Sequence, residues 1–520
     1  MNNRDLDAGW AYHNATKHSY ASVRSGAHFL DWANQPLPFK IYPHLEAIPL
    51  PREAPQTGVA ALAAIAETGS GRPNAAALDL QTLSLLLYFS AGITRQRKYP
   101  GGEIYFRAAA CTGALYEIEL YPVVRTLPDL DAGVYHFSPA DFSLRQLRAG
   151  HWRGTLAEAT GNEPAVAQAP LILVCTGTYW RNAWKYQART YRHFGWDNGT
   201  LLANLLAMAA ALGLRARVIC GFVDAQVNRL LGVDEKREVA FSLVAIGEDH
   251  APPAAPASAP QLTYEVLPAS RREVDYPAMR EVHAASSLTT PEEVAAWRGQ
   301  LPAIEPARRT GALFQLRPLN DDAMPRDPIE RVILRRGSTR RFARAPITQE
   351  QLATLLDRST RAIPADFLEP GGRMLNELYL IVHAVEGVAA GAYYLRRETL
   401  ELELLKEGSF REEAAFLGLE QELPGDASVA VFFLADLKRI FERFGNRGYR
   451  AAQLEAGILG GKLYLAAYAL GLGATGLTFY DDEVVRFFSP HAAGKSAVFL
   501  TAIGQKPKRE KAADTQSASA

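Results

Sequence analysis

The distribution of apolar positions predicts both buried helices and buried strands. Gly199 to Leu214 is almost entirely apolar or small, so it should form a helix buried on all sides, in a domain core or between two domains. Leu83 to Phe89 and Leu352 to Leu356 have the spacing of helical core faces. Tyr116 to Val124 and Leu378 to His383 are apolar and typical of strands. Because helices and strands follow each other without a steady βαβ alternation, the pattern predicts an α+β fold.

The pattern occurs twice along the chain. Tyr191 and Tyr449 are 258 positions apart, as are Gly199 and Gly457, and further apolar and glycine matches keep the same displacement. This period is far longer than the ~20 to 50 residues of a solenoid repeat, so it indicates two homologous domains. The predicted limits are 1–250 and 263–510, joined by a Pro/Ala-rich linker at 251–262 and followed by a disordered tail at 511–520.

Composition excludes several classes of partner. Lys and Arg together number 56, as do Asp and Glu, so nucleic acid and membrane surfaces are disfavoured. The N-terminal residues lack the apolar segment of a secretory signal, and a cytoplasmic location is expected. Cys111, Cys175 and Cys220 lack C-x-x-C spacing, which favours reduced, mostly buried thiols over disulfides or a zinc site. No metal is predicted.

One glycine motif is expected to be structural. Gly471 to Gly476 reads G-x-G-x-x-G, but a helical run ending at Leu470 precedes it and the strand-like Leu477 to Tyr480 follows. A dinucleotide site needs the opposite order, with the strand first and the helix second. A glycine that ends a helix is therefore the preferred interpretation.

An arginine-rich segment carries the first candidate chemistry. Arg335 to Phe342 contains four arginines and two hydroxyl side chains, just before a helix start at Pro346. Arginine binds phosphate oxygens in pairs and serine adds a neutral donor, so the segment predicts an anion site. The alternative is a solvated run of charge.

Arg336, Ser338 and Arg340 resemble the R-x-S-x-R phosphate signature of FMN-dependent nitroreductases. Together with Cys111 to Glu117 and Lys185 to Arg192, they make the chain similar to the SagB-type thiazoline/oxazoline dehydrogenases of that superfamily. The resemblance implies two nitroreductase-like domains fused as an intramolecular pseudo-dimer.

The resemblance also implies FMN sites between the domains, each built from the phosphate signature and terminal basic residues of one domain and a small-residue loop of the other. The loop here reads Ala-Cys-Thr-Gly, where the family has Pro-Ser-Ala-Gly, so its expected contacts with the cofactor come from the backbone. The residues implied to bind the cofactor are Arg336, Ser338, Arg340, Cys111, Thr112, Gly113, Thr478, Phe479, Lys508 and Arg509.

The two copies have diverged in different places, which predicts one intact FMN site. The first copy retains only a faint echo of the signature, at Thr16 to Ser19, and ends in the acidic Glu248 and Asp249. In the second copy the small-residue loop is replaced by Glu369 to Met374. The second site is therefore expected to be dead.

The family's Lys-Tyr pair corresponds to Lys185 and Tyr186, whose counterparts in the second copy are Arg443 and Phe444. Tyr186 would abstract a substrate proton if the neighbouring ammonium lowers its pKa from about 10, while hydride passes to flavin N5. The alternative is a cationic helix start that only packs against the linker or an acidic patch.

These resemblances predict an FMN-dependent dehydrogenase or oxidase acting on a small molecule or a modified peptide, such as an azoline heterocycle. A cyclodehydratase is the expected kind of partner. Two alternatives stay open: an NAD(P)H-driven reductase of nitro compounds or quinones, and an inert flavin-binding or peptide-binding scaffold.

Overall fold

The computed structural model of the chain describes residues 2–26, 28–67, 69–72, 75–99, 102–249, 258–302, 309, 311–361, 363–368 and 374–507. Most of the predicted linker and the whole of the predicted tail lie outside these ranges. Within them, no helix combines the length and apolar character needed to cross a membrane.

The first half of the chain contributes nine helices and nine strands among the described residues. The helices are α1 Asp7–Ala15, α2 Tyr20–Ser25, α3 Ala61–Ala66, α4 Leu80–Ala91, α5 Arg153–Ala159, α6 Pro164–Gln168, α7 Tyr179–Tyr186, α8 Thr190–Ala211 and α9 Asp224–Leu231. The strands are β1 Ala47–Pro49, β2 Ile93–Tyr99, β3 Gly102–Arg107, β4 Ile118–Val124, β5 Gly133–Ser138, β6 Ser143–Ala149, β7 Leu171–Thr178, β8 Ala216–Ile219 and β9 Glu238–Ile246.

The second half repeats most of this order. Its helices are α10 Pro277–Ala285, α11 Pro291–Trp297, α12 Ile329–Arg335, α13 Gln349–Thr360, α14 Arg411–Leu417, α15 Glu422–Asp426, α16 Leu437–Phe444, α17 Arg447–Ala469 and α18 Asp481–Phe488. Its strands are β10 Leu313–Gln315, β11 Asn376–Val382, β12 Gly391–Arg396, β13 Glu401–Glu407, β14 Val429–Ala435, β15 Gly473–Leu477 and β16 Ser496–Gly504.

Each half forms a seven-stranded antiparallel sheet of the same topology. The strand orders are β1-β6-β5-β4-β7-β9-β8 and β10-β13-β12-β11-β14-β16-β15. The hairpin of β2 and β3 is a separate two-stranded sheet, and it belongs to the first half alone among the described residues. The α+β prediction and the duplication are confirmed, while the predicted domain limits stay predictions.

The long central helices of the two halves pack against each other. Every residue of α8 and α17 is buried, so the all-round apolar helix predicted from Gly199 to Leu214 lies between the halves. A Cβ atom added to Gly199 would lie 2.5 Å from the Cα of Gly457, so the two backbones are in direct contact. Only glycine permits this approach.

The glycine motif behaves as predicted, with one shift of boundary. α17 ends at Ala469, and Gly471 then adopts a left-handed conformation with φ 79°. The following strand, however, is Gly473–Leu477, so it begins inside the motif and ends where the strand-like Leu477 to Tyr480 was expected to begin. Pairing with β16 selects the earlier segment, in register Gly473 to Gly504.

We expect Gly199→Val to lower the free energy of unfolding by about 3 kcal/mol or more, because the new side chain has no space against α17. Urea unfolding of the full chain measures this loss. Met208→Leu, a swap of similar volume in the same buried helix, is the control and should cost less than about 1.5 kcal/mol. Equal stability of the two variants would contradict the close contact.

Candidate functional site

The arginine signature lies where the second half meets the first. Arg336 follows the end of α12, and its Nε donates to the carbonyl of Ala108, beyond β3 of the first half, at 3.0 Å. Two residues later, Ser338 forms a backbone bridge with Ala474 of β15, and Thr339 N donates to the carbonyl of Ala474 at 2.9 Å. The signature therefore connects the edge of one sheet to the other half of the molecule.

Arg336, Arg340 and Arg341 have no acidic partner among the described residues, whereas Arg335 pairs with Asp327 at 2.7 Å. Arg336 is 9% exposed and bonds only to backbone carbonyls, and burial lowers the pKa of its guanidinium. Arg340 and Arg341 are exposed and make no ion pair there. A buried guanidinium is unfavourable without a counter-charge, which a bound anion would supply. The solvated-charge alternative fits Arg340 and Arg341 but not Arg336.

Donors with no protein acceptor surround the signature. Ser338 Oγ lies 3.2 Å from the hydroxyl of Tyr464, which also accepts a hydrogen bond from Gly476 N. The Oγ1 atom of Thr478 is buried without a hydrogen-bond partner, and the amides of Thr478 and Phe479 bond to none of the described residues. Thr478 and Phe479 thus present unsatisfied donors beside β15, next to the predicted Arg336 and Ser338.

The predicted small-residue loop is held by Asp197 of α8. Asp197 Oδ1 accepts from Thr112 N at 2.8 Å and from Thr112 Oγ1 at 2.9 Å. Gly113 adopts φ 65°, and a Cβ atom there would lie 2.8 Å from the hydroxyl oxygen of Tyr186. The structure therefore brings the loop and the predicted catalytic tyrosine together.

Lys185 and Tyr186 form the last turn of α7, not a helix start. Lys185 is exposed, has no ion pair among the described residues, and places its Nζ 5.3 Å from the Tyr186 ring centroid. Burial and the nearby acidic groups of Asp197, Cys111 and Glu117 raise the pKa of Tyr186, and Arg340 opposes them only partly. The expected lowering of this pKa by the adjacent ammonium was wrong, because these surroundings outweigh it. The hydroxyl is protonated at neutral pH.

A buried carboxyl pair lies under the loop and was missed from sequence. Asp197 Oδ2 and Glu117 Oε2 both approach the Cys111 sulfur, at 3.5 and 3.4 Å. Burial raises the pKa of both carboxyls, and the charge of Glu117 raises the pKa of Asp197 further, whereas the hydrogen bond with Asp197 lowers the pKa of Glu117. Burial together with Asp197 and Glu117 also raises the pKa of Cys111, which stays a thiol. As predicted, all three cysteines are free.

A second missed group is Asn182, Thr190 and His193, which lie behind Tyr186. The ring centroids of His193 and Tyr186 are 4.7 Å apart in an edge-to-face arrangement. These three residues have apolar counterparts or glycine at the 258-residue displacement. A residue-by-residue comparison of the two copies would have found them.

The arginines that follow the Lys-Tyr pair are structural. Arg192 Nη1 lies 2.6 Å from Asp481 of the second half, and Arg189 Nη1 lies 3.1 Å from the same carboxylate. The pseudo-symmetric carboxylate, Asp224, pairs with Arg447 and Arg450 at 2.5 and 2.7 Å. Because both copies need these pairs to join the halves, both keep the arginines.

The second pseudo-symmetric site is filled by the chain itself. Its amides of Cys220 and Gly221, counterparts of Thr478 and Phe479, donate to the carboxylate of Asp366, each at 2.8 Å. A Cβ atom on Gly69 would lie 2.7 Å from the ring of Pro364, so the turn there is closed. At Gly337, the equivalent turn of the first site, the nearest atom would be 3.8 Å away.

The degenerate signature is not where it was expected. The backbones of Ala60 and Pro328, which directly precede α3 and α12, pair with each other, so these two helices are counterparts. The segment equivalent to Arg336–Arg340 is therefore 68–72, in which Ser70 and Arg72 match Ser338 and Arg340. Thr16 to Ser19 instead lies against Arg189 and Asp481, where the carbonyl of Thr16 accepts from Arg189. Upstream of the sheets the displacement between the two copies is no longer 258 residues, so the sequence repeat did not reveal this match. Lys508, Arg509 and most of Glu369 to Met374 lie outside the described residues.

Comparison with known proteins assigns the family. The model described as "Nitroreductase family" matches residues 126–248 and 333–504, so the chain belongs to the nitroreductase family and is an oxidoreductase. Two such domains are fused in tandem, as predicted. A crystal structure from Anabaena variabilis, titled provisionally as a nitroreductase, is 28% identical with TM-score 0.77, covering 96% of this chain and 99% of that one.

Two curated relatives cover parts of the chain. A protein of Methanocaldococcus jannaschii, named provisionally as a nitroreductase, is 28% identical over 158 residues, 30% of this chain and 76% of its own. The microcin B17-processing protein McbC of Escherichia coli is 27% identical over 169 residues, 31% of this chain and 58% of its own. The McbC match agrees with the predicted resemblance to the SagB-type branch.

We expect Asp224→Asn to lower the free energy of unfolding by about 3 kcal/mol at pH 7, because Arg447 and Arg450 lose their buried counter-charge. These arginines hold the pKa of Asp224 at about 2, below the value near 3.9 of an unfolded chain. The stabilisation is therefore complete above that unfolded value and disappears as pH falls through about 4 to 2. Urea unfolding should show the difference from the parent shrinking over this range.

Asp234→Asn is the control, because this carboxylate is exposed and its pair with Arg237 is 4.0 Å long. It should change the unfolding free energy by less than about 0.5 kcal/mol. If Asp224→Asn behaves like this control, the cross-half arginines are not structural.

Proposed function

We propose that the chain is an FMN-dependent dehydrogenase or oxidase that oxidises an azoline-type heterocycle or a peptide-like substrate at a single composite site. The observation that carries this proposal is the asymmetry between the two pseudo-symmetric sites. In one, buried donors beside β15 lack acceptors and the turn at Gly337 is open; in the other, Asp366 and Pro364 occupy the equivalent space.

The residues present fit FMN. Arg336, Ser338 and Arg340 would hold the phosphate, since a dianion satisfies a buried guanidinium that has no carboxylate. Thr478 and Phe479 would contribute their free amides, and Cys111 to Gly113 would form a wall from the first half. Lys508 and Arg509 are proposed to add charge at the phosphate end. When bound, FMN would supply a two-electron acceptor: hydride would pass from the substrate to N5, and the substrate's proton would pass to water.

Tyr186 orients the substrate as a hydrogen-bond donor. Its hydroxyl is protonated and rests against Gly113 of the proposed flavin wall, so it can donate to a substrate heteroatom there. Lys185, exposed at the same helix end, adds a positive charge beside the ring. This assignment replaces the base expected from sequence with a donor, because a tyrosine whose pKa is raised does not ionise near neutrality.

The likeness to McbC, a microcin-processing protein, supports a modified peptide as the substrate and a cyclodehydratase as the partner. Azoline oxidation removes two hydrogens from a ring that a cyclodehydratase forms. An NAD(P)H-driven nitro or quinone reductase and an inert scaffold are the outcomes that the following experiments separate from this function.

The purified chain should bind about one FMN, and Arg340→Gln should weaken binding about 10-fold to 100-fold through loss of a charged hydrogen bond. Absorption of the released flavin measures the stoichiometry, and fluorescence titration of the apoprotein measures affinity. Arg72→Gln is the matched control, because Arg72 occupies the same position in the filled site. Two FMN per chain, or equal effects of both variants, would refute the single site.

Lys185→Ala and Tyr186→Phe should retain FMN but lower kcat on a thiazoline-bearing peptide about 100-fold, as expected when the groups that orient the substrate are lost. Arg443→Ala, at the counterpart of Lys185, should instead lower stability alone, because Arg443 donates to the carbonyls of Trp297 and Arg298. A reductase would keep NADPH-driven turnover in all three variants, and a scaffold would show no turnover in the parent.

A further inference from the structure

A buried polar trio, Asn182, Thr190 and His193, lies directly behind Tyr186. Thr190 Oγ1 donates to Asn182 Oδ1 at 2.9 Å, and His193 Nδ1 lies 2.8 Å from the same oxygen. The first two side chains are completely buried and the imidazole is 2% exposed. All three belong to α7 or α8, the helices that also carry Tyr186 and Asp197.

The trio fixes the state of the imidazole. With the Asn182 amide in the orientation found here, its Oδ1 is an acceptor, which assigns the proton to Nδ1 of His193 and a lone pair to Nε2. Nε2 has no hydrogen-bond partner among the described residues. Burial, reinforced by Arg189, His18 and Arg192, lowers the pKa of His193 well below its ordinary value, so the ring is neutral.

His193 joins the two walls of the proposed site. Its ring meets the ring of Tyr186 at an interplanar angle of 84°, with the centroids 4.7 Å apart. On another side it lies 4.8 Å from Trp196, whose ring is 6.1 Å from that of Phe479. The imidazole thus sets the spacing between the tyrosine and the segment proposed to hold the flavin.

The second half of the chain shows that the fold does not need these polar groups. At the 258-residue displacement the trio is replaced by Ile440, Gly448 and Ala451. A Cβ atom on Gly448 would lie 2.7 Å from Ile440 Cγ2, so an aliphatic side chain fills the space of the Thr190 hydroxyl. In contrast, Nδ2 of Asn182 is buried without a partner, which is destabilising.

We propose that Asn182, Thr190 and His193 form a positioning group that holds the Tyr186 hydroxyl against Gly113. This task explains why the first half keeps a polar trio where the second half has apolar residues and glycine. The proposal rests on the proposed function for the role of Tyr186. Buried polar groups retained at a stability cost are typical of functional sites.

The first test converts the trio into its apolar counterpart, Asn182→Ile with Thr190→Gly and His193→Ala. The variant should bind FMN as the parent does and unfold at the same or a higher temperature. Its kcat on a thiazoline-bearing peptide should fall about 100-fold with little change in KM, because a misplaced group costs about that factor. Thr190→Ser, which keeps the hydroxyl, is the control and should retain turnover. Parental kcat in the triple variant would overturn the proposal.

The second test serves if the triple variant does not fold. Asn182→Asp places a carboxylate within hydrogen-bond distance of the His193 Nδ1–H group. This negative charge should raise the pKa of His193, although Arg189, His18 and Arg192 lower it. The acidic limb of the kcat profile should then move to higher pH by at least about one unit. A uniform loss of kcat at every pH would indicate mere packing and overturn the proposal.

A third measurement does not depend on turnover. Nitrogen-15 NMR of histidine-labelled protein, with the His193 signals identified by their loss in His193→Ala, should show a neutral ring protonated at Nδ1 at pH 7. An imidazolium, or a ring protonated at Nε2, would overturn the proposal. If the parent protein does not oxidise thiazoline but the NMR result is as expected, the proposed substrate is wrong, whereas the hydrogen-bonding arrangement proposed for the trio is supported.

Discussion

The contact between α8 and α17 is the constraint on which the rest of the structure depends. Their backbones touch at Gly199 and Gly457, so the helices act as one buried layer shared by both sheets. Since α8 also carries Asp197 and His193, any change in that crossing would move the loop at Thr112 and the ring of Tyr186. The site is therefore as rigid as the interface between the halves, and a fused pair keeps that interface at a fixed one-to-one ratio.

Duplication left two kinds of residue on the same helices. The arginines that form ion pairs between the halves with Asp224 and Asp481 persist in both copies. Each ion pair is buried, so loss of either partner would leave an uncompensated buried charge. Residues facing the sites were free to diverge separately. One side retains Tyr186 and unsatisfied donors, whereas the other has Phe444 and the capping carboxylate of Asp366. The chain therefore contains two pseudo-symmetric candidate sites that can be compared directly, one with open donors and one filled by Asp366.

Much of the candidate site could be located from sequence because its arginine signature is local. Arg336, Ser338 and Arg340 lie within five residues, and a short motif retains its meaning wherever the chain places it. The Lys-Tyr pair was also visible, but its chemistry was not. The pKa of Tyr186 depends on Asp197, Cys111 and Arg340, which come from three distant segments and act only across space. The same reason hid the carboxyl pair, the polar trio and the true position of the degenerate signature.

The sequence by itself determined the fold class, the duplication, the all-round burial of the central helix and the helix-ending role of Gly471, because each follows from periodicity or from the conformational freedom of one residue type. Only the tertiary structure decided that Asp366 fills the second site and that burial and the nearby acidic groups raise the pKa of Tyr186. Those outcomes depend on distances between segments brought together by packing, and no local pattern encodes such distances.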